Sequence, residues 1–252
     1  MSFAVAAEAY DRFMGRYSGP LAAEFAEFAG VAPGQRVLDV GCGPGALTTE
    51  LVGRLPPSAV TACDPSEPFV RAAQERHPQV EVRRAAAEQL PFADGSFDAA
   101  LAQLVVHFMT DPVAGLREML RVARPGGVVA ACVWAHEGGV GPLDVFWTAA
   151  RRLTPGIAGE ADLAGARKGH LAQLLAEAGA TRIEDAALQV SVVHPSFEDW
   201  WEPYTLGVGP AGAHVAALDT AGRRALRDEC RARLPDAPFT ITAKAWAARG
   251  GS

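Results

Sequence analysis

Asp39, Gly41, Gly43 and Gly45 stand at alternate positions in the stretch RVLDVGCGPGALTTEL, Arg36 to Leu51. An acid just ahead of three closely spaced glycines, between an apolar run and a helix-like run, suits one kind of task. Glycine permits positive φ and lets a ligand touch the main chain. A helix that begins behind the loop offers free N–H groups. The expected guest is therefore a nucleotide-like molecule. A second acid, Asp64, follows 23 residues after Gly41, near the distance expected for a carboxylate on a ribose. Gly41, Gly43 and Ala46 also satisfy G-x-G-x-x-G/A, so on spacing alone a dinucleotide and another nucleoside-bearing cofactor both remain open.

These residues need a scaffold, and the pattern around them supplies one. RVLDVG reads as a buried strand and PGALTTELVGRL as the helix behind it. AVTACD is a second strand, SEPFVRAAQERH a helix with Ser66 at its N-cap, and VEVRRA a third strand. FDAALAQLVV holds a fourth strand, DPVAGLREMLRVA a helix, Arg124 to Gly127 a sharp turn, and VVAACVWA a fifth strand. Strand and helix alternating at this rhythm predict parallel pairing with helices on both faces. The second half is less regular. A helix is expected around PLDVFWTAARRL in a Gly-rich region, and GHLAQLLAEAGA is an amphipathic helix stopped by Gly179. TRIEDAALQVSVVH reads as a strand, SFEDWWEPYTLG and AGRRALRDECRARL as helices, and FTITAKAWAARG as a last strand.

The totals narrow the possibilities. A chain of 252 residues, 49% hydrophobic, can bury the core of one α/β domain, and no linker-like tract divides it. The net charge of −6 argues against a nucleic-acid partner, and the arginines between Arg223 and Arg233 are offset by Asp228 and Glu229. Cys42, Cys63, Cys132 and Cys230 form no CxxC pair, so no metal site is expected. No apolar run approaches the roughly 20 residues that span a bilayer, and no targeting pattern is evident. The expectation is a soluble cytoplasmic protein without membrane contact, a monomer or a homodimer.

Asp39 turns the loop into D-x-G-x-G-x-G, which resembles the first motif of the class I S-adenosylmethionine-dependent methyltransferases. TACDPSEPFVRAA resembles the family's second strand with its ribose acid. AAAEQLPFADGSFDAALAQLVVHF resembles its adenine loop and fourth strand, and LREMLRVARPGGVVA its helix, turn and fifth strand. The likeness runs from about residue 35 to 134. It is strongest to small-molecule enzymes of a bacterial subgroup (methyltransferase domain 11/25-like). It implies a Rossmann-like, doubly wound, seven-stranded and mostly parallel sheet with an antiparallel last strand, helices on both faces and an N-terminal lid helix. The whole chain is then a single domain: residues 1–30 as lid, 35–135 as cofactor core, 136–252 as substrate-side insertions and closing strands.

The resemblance also implies roles. Asp64 holds the ribose diol, the Gly41–Gly45 backbone meets the methionine end, and Asp39 reaches its ammonium or braces the loop. Pro65 and Leu90 wall the adenine, whose edge is read by Ala86, Ala87 and Glu88. The family often has aspartate where this chain has Ala86. Gln103 borders the methionine moiety. Tyr10, Arg16 and Tyr17 close over the site, with Arg16 meeting the carboxylate. His107 and His136, at the ends of the fourth and fifth strands, are the candidate bases, whereas His77, His170, His194 and His214 are expected at the surface or at helix ends. Trp147, Trp200, Trp201 and Tyr204 are expected to form an apolar acceptor cage.

The implied activity is in-line transfer of a methyl group to an O or N of a small molecule. Two alternatives remain. A methyltransferase fold can bind the cofactor without transferring a methyl group. An NAD(P)-dependent oxidoreductase is disfavoured, because none of Tyr10, Tyr17 and Tyr204 is followed by lysine four positions on.

Overall fold

The computed structural model describes residues 7–136, 140–157 and 159–251. The chain opens with α1 (Ala7–Tyr10), a π-helical turn (Asp11–Gly15) and α2 (Arg16–Phe28) in one continuous run. There follow β1 (Val37–Val40), α3 (Ala46–Arg54), β2 (Val60–Asp64), α4 (Glu67–Arg76), β3 (Glu81–Arg84), β4 (Phe97–Gln103), α5 (Pro112–Val122) and β5 (Ala123–Trp134). The rest comprises α6 (Asp144–Leu153), α7 (His170–Ala178), β6 (Thr181–His194), α8 (Phe197–Trp201), α9 (Gly209–Ala217), α10 (Thr220–Arg231) and β7 (Phe239–Gly251).

All seven strands form one sheet in the order β3-β2-β1-β4-β5-β7-β6. β1 to β5 pair in parallel, and β7 runs antiparallel to both β5 and β6. The doubly wound sheet with an antiparallel last strand is thus the one the resemblance implied. The expected turn at Arg124–Gly127 interrupts β5 without ending it. Phe97 pairs with Ala123 and Ala99 with Val128, so four residues loop out between them, and Gly126 takes φ +77° there. A Cβ on Gly127 would lie 2.8 Å from two carbonyl oxygens, Arg124 O and Asp98 O, which fixes glycine at this position.

Strand side chains alternate between faces, and the two apolar clusters follow that alternation. Val37, Leu101, Ala130 and Cys132 pack with Leu21 and Phe25 of α2 and Leu47 and Leu51 of α3. Leu38, Val40, Ala100, Val129 and Ala131 pack with Leu116 and Met119 of α5 and Leu171 and Leu175 of α7. Strands covered on both faces explain the near-continuous apolar runs in β1, β2 and β4. β1 leads to β2 on one side and borders β4 on the other. The chain therefore reverses its winding direction at the C-terminal end of β1, where open sheets of this kind leave a crevice.

Candidate functional site

Two adjoining cavities occupy that crevice. The larger has about 1060 Å³ of empty space and is lined by the loop after β1, the end of β2, the segment before β4 and the residues just after β4. The smaller has about 470 Å³ and reaches under the π-helical turn and α9. Tyr10, Leu104 and Phe108 line both. No group of three or more His, Cys, Asp or Glu side chains is placed to hold a metal among the described residues. No helix among them is long and apolar enough to cross a membrane.

The loop after β1 is shaped by glycines in left-handed conformations. Gly41 has φ +71°, and a Cβ there would fall 2.5 Å from both Val105 methyl carbons. Its N–H and that of Cys42 both donate to Cys63 O, at 2.7 and 2.9 Å, tying the loop to β2. Gly43 has φ +55°, and a Cβ there would meet nothing within 4 Å, so its backbone borders open space. Gly45, at φ +98°, precedes α3 and does not line the cavity; its Cα faces the His77 ring, 3.2 Å from a built Cβ.

Two carboxylates hold this loop and line the larger cavity. Asp64 accepts the Gly43 N–H on Oδ2 at 2.9 Å and the Ser66 N–H on Oδ1 at 2.8 Å. Asp39 accepts the Thr48 hydroxyl at 2.6 Å and is 1% exposed. Burial pushes the Asp39 carboxyl up to about 7, against the pull of those hydrogen bonds, and raises Asp64 as well. Among the described residues no lysine, arginine or histidine lines this cavity. A cationic ligand would meet electrostatic complementarity there, whereas a pyrophosphate would face Asp39, Asp64 and Glu88 with no basic side chain opposite.

Of the expected adenine residues, Pro65, Ala86, Ala87 and Glu88 line the cavity, with Phe69 and Met109 as walls that the sequence did not single out. Leu90 does not line it and is buried beneath with α5. Glu88 Oε1 accepts the N–H groups of Thr110 at 2.7 Å and Asp111 at 3.3 Å, so its carboxylate closes the loop before α5. Gln103 lines the cavity and donates from Nε2 to Ser18 O at 2.9 Å, joining β4 to α2.

The N-terminal run departs from expectation. Tyr10 lines both cavities and packs edge-on to Phe69 at 5.7 Å, with burial pushing its hydroxyl up to about 12. Arg16 and Tyr17 line neither. Arg16 Nη1 donates to Asp199 Oδ2 at 2.7 Å and lies 3.1 Å from His194 Nδ1. The Tyr17 hydroxyl lies 2.8 Å from His194 Nε2. Residues seven apart share a face in an α-helix, but the π turn between Tyr10 and Tyr17 changes the phase. Tyr10 therefore faces the crevice while Arg16 and Tyr17 face β6 and α8. His194, expected at the surface, is 1% exposed at the centre of this network, and burial lowers its pKa.

His107 and His136 both line the smaller cavity. Burial pushes His107 down to about 3, with help from His136, and His136 itself down to about 4. His107 Nδ1 is buried with no hydrogen-bond partner among the described residues. Both imidazoles are therefore neutral at pH 7. The four side chains expected to form an acceptor cage, Trp147, Trp200, Trp201 and Tyr204, line neither cavity. They spend their apolar area on one another and on the core. Tyr204 stacks on Phe146 at 4.7 Å, meets Trp200 at 4.8 Å and packs edge-on to Phe13, itself a cavity wall. The lining rings are instead Phe13, Phe108 and Trp134, together with Tyr10. Glu160 also lines this cavity and was not anticipated; it lies in an aperiodic Gly-rich stretch that offers no signal.

Residues 38–131 match a family model described as a methyltransferase domain. A demethylmenaquinone methyltransferase of Paenarthrobacter aurescens is 32% identical over 178 residues, covering 65% of this chain and 69% of that protein. Another, from Beutenbergia cavernae, is 42% identical over 98 residues, or 39% of this chain and 40% of that protein. The chain spans about half the length of most curated relatives it matches, as in alignments covering 46% and 54% of two others. Among solved structures, the [4+2]-cyclase SpnF shares the fold with a TM-score of 0.56 at 22% identity, over 92% of this chain and 81% of that one.

Proposed function

The chain belongs to the S-adenosylmethionine-dependent methyltransferases, and we propose that it moves a methyl group to an oxygen or nitrogen of a small-molecule acceptor. The observation that carries this reading is the larger cavity: a glycine loop open to ligand at Gly43, two buried carboxylates and no basic side chain. When bound, S-adenosylmethionine supplies an activated methyl group on a sulfonium, so the protein's task is to align the partners.

The chain's residues suit the parts of that cofactor. Asp64 retains lone pairs for a ribose diol beyond the two backbone N–H groups it accepts, and the Gly41–Gly43 backbone lets a ligand lie close. Asp39, raised to about 7 by burial, gains a partner from an ammonium group. Pro65, Ala86 and Ala87 offer an apolar slot for the base, with Thr110 beside it where the family's aspartate is replaced by Ala86. The smaller cavity receives the acceptor. His107 or His136, neutral at pH 7, takes a proton from it if it arrives protonated. Residues 35–135 then hold the cofactor, while the N-terminal helices and residues 136–252 shape the acceptor side.

A screen of methyl-tritiated S-adenosylmethionine with phenols, alcohols and amines tests the transfer. Labelled product with at least one class is expected. Cofactor binding without label in any class would favour a second reading, a protein that binds the cofactor without methyl transfer. The fold-likeness to a protein named as a cyclase gives that reading substance, since fold does not dictate reaction.

A further inference from the structure

Glu160 is a buried acid that the proposed transfer does not use. It is 5% exposed and lines the smaller cavity. Its Oε2 accepts the Trp147 indole N–H at 2.8 Å. Burial and that one donor are the influences on its carboxyl, no cation among them, and they leave it at about 7. Among the described residues no lysine or arginine lines the cavity, and the other titratable lining groups are Tyr10, His107 and His136, each held neutral at pH 7 by burial.

A buried carboxylate without a counter-charge is costly, and a ligand that brings a positive charge removes that cost. The surrounding rings of Phe13, Phe108 and Trp134 present faces and edges to the same space, and aromatic faces attract cations. An anionic acceptor would meet Glu160 with nothing to neutralise it. A neutral alcohol would leave the acid protonated and gain little from it.

We propose that Glu160 selects the acceptor, and that the acceptor is an amine, cationic in solution, carried on an apolar body. The proposal rests on the assignment of the smaller cavity to the acceptor and narrows "oxygen or nitrogen" to nitrogen. Glu160 pairs with the ammonium as it enters. The ammonium then passes one proton to the Glu160 carboxylate, the strongest base among the described lining groups because burial keeps both imidazoles from taking up a proton, and the amine lone pair becomes available.

Three probes matched in size test this by calorimetry: 2-phenylethylamine, 2-phenylethanol and phenylacetate, each titrated with and without saturating S-adenosylhomocysteine. The amine should bind at least tenfold more tightly than the alcohol, and phenylacetate most weakly. Glu160→Gln, which keeps an acceptor for the Trp147 N–H but carries no charge, should abolish the amine's advantage and leave S-adenosylhomocysteine affinity unchanged. An alcohol that binds as well as the amine, an amine that does not bind, or a preference that survives in the Gln variant would overturn the proposal. The wild-type ranking stands even if the variant fails to fold. Failure of S-adenosylhomocysteine to bind would instead strike the cofactor reading, and the amine ranking would still report on Glu160.

Discussion

The two cavities of the crevice are anchored in different ways. Both draw walls from several segments, but the larger is centred on the passage from β1 to α3, where the Gly41 and Cys42 N–H groups donate to Cys63 O, the Gly43 N–H donates to the Asp64 carboxylate and the Thr48 hydroxyl donates to that of Asp39. The smaller is assembled from the π-helical turn, the residues after β4, the end of β5, Leu143 ahead of α6, Glu160 and the start of α9. One of its walls, Phe13, packs edge-on to Tyr204, which belongs to an aromatic core with Phe146, Trp200 and Trp201. A site made from backbone conformation fixes its residue types locally. A site made from packing leaves them free to vary, provided the volume is filled.

The comparison breaks if the two regions prove to be coupled. Tyr204→Ala, in the aromatic core, should have the largest effect, about 3–5 kcal/mol of stability lost in urea unfolding. The folded fraction should bind S-adenosylhomocysteine normally. A parallel loss of cofactor affinity would show that the aromatic core also shapes the larger cavity.

Gly41→Ala should cost about 2–4 kcal/mol, through its positive φ and the Val105 methyl groups 2.5 Å from the new Cβ. Adding Val105→Ala should return the steric part alone. Gly43→Ala should cost less stability, about 1 kcal/mol, because its Cβ meets nothing, yet weaken S-adenosylhomocysteine more than its stability loss suggests. Equal effects at the two glycines would remove the distinction between a packed and a ligand-facing position.

The pH dependence sharpens the picture. Asp39 is raised to about 7 in the folded protein from an ordinary value of 3.8. The folded state therefore holds a proton that the unfolded state has lost between those values, and Asp39's contribution to stability falls as pH rises from about 4 to 7. In ligand-free protein, the stability of Asp39→Asn relative to wild type should improve by about 1–4 kcal/mol across that window and level off above it. Other titrating groups are common to both proteins and drop out of the difference. A difference that stays flat from pH 4 to 8 would mean that Asp39 is ionised throughout.

The smallest effect is expected at the other end of the N-terminal helical run. Tyr17→Phe removes the 2.8 Å hydrogen bond to His194 and should cost about 1 kcal/mol of stability. Cofactor affinity should stay within twofold. A larger loss of affinity would restore Tyr17 to the cofactor site.

This contrast also explains what could be read in the sequence. The order of the first five strands, the glycine loop and the place of Asp64 at the end of β2 were legible, because each is a local pattern with a backbone cause. The places of Arg16 and Tyr17 were not. Asp199, the partner of Arg16, lies 183 residues away, and the π turn that separates Tyr17 from Tyr10 leaves no periodic trace. Trp200, Trp201 and Tyr204 looked like a ligand cage because aromatic residues at helical spacing suit a cage and a core equally. Glu160 was invisible for a related reason: that no cation acts on its carboxyl among the described residues is a property of the folded chain.

The most direct test is a calorimetric comparison of S-adenosylhomocysteine with NAD, repeated on Asp64→Ala. S-adenosylhomocysteine should bind in preference to NAD, and the substitution should weaken it by about 1–3 kcal/mol, the scale of hydrogen bonds lost from a charged acceptor. Preference for NAD, or an affinity that Asp64→Ala leaves untouched, would contradict the account.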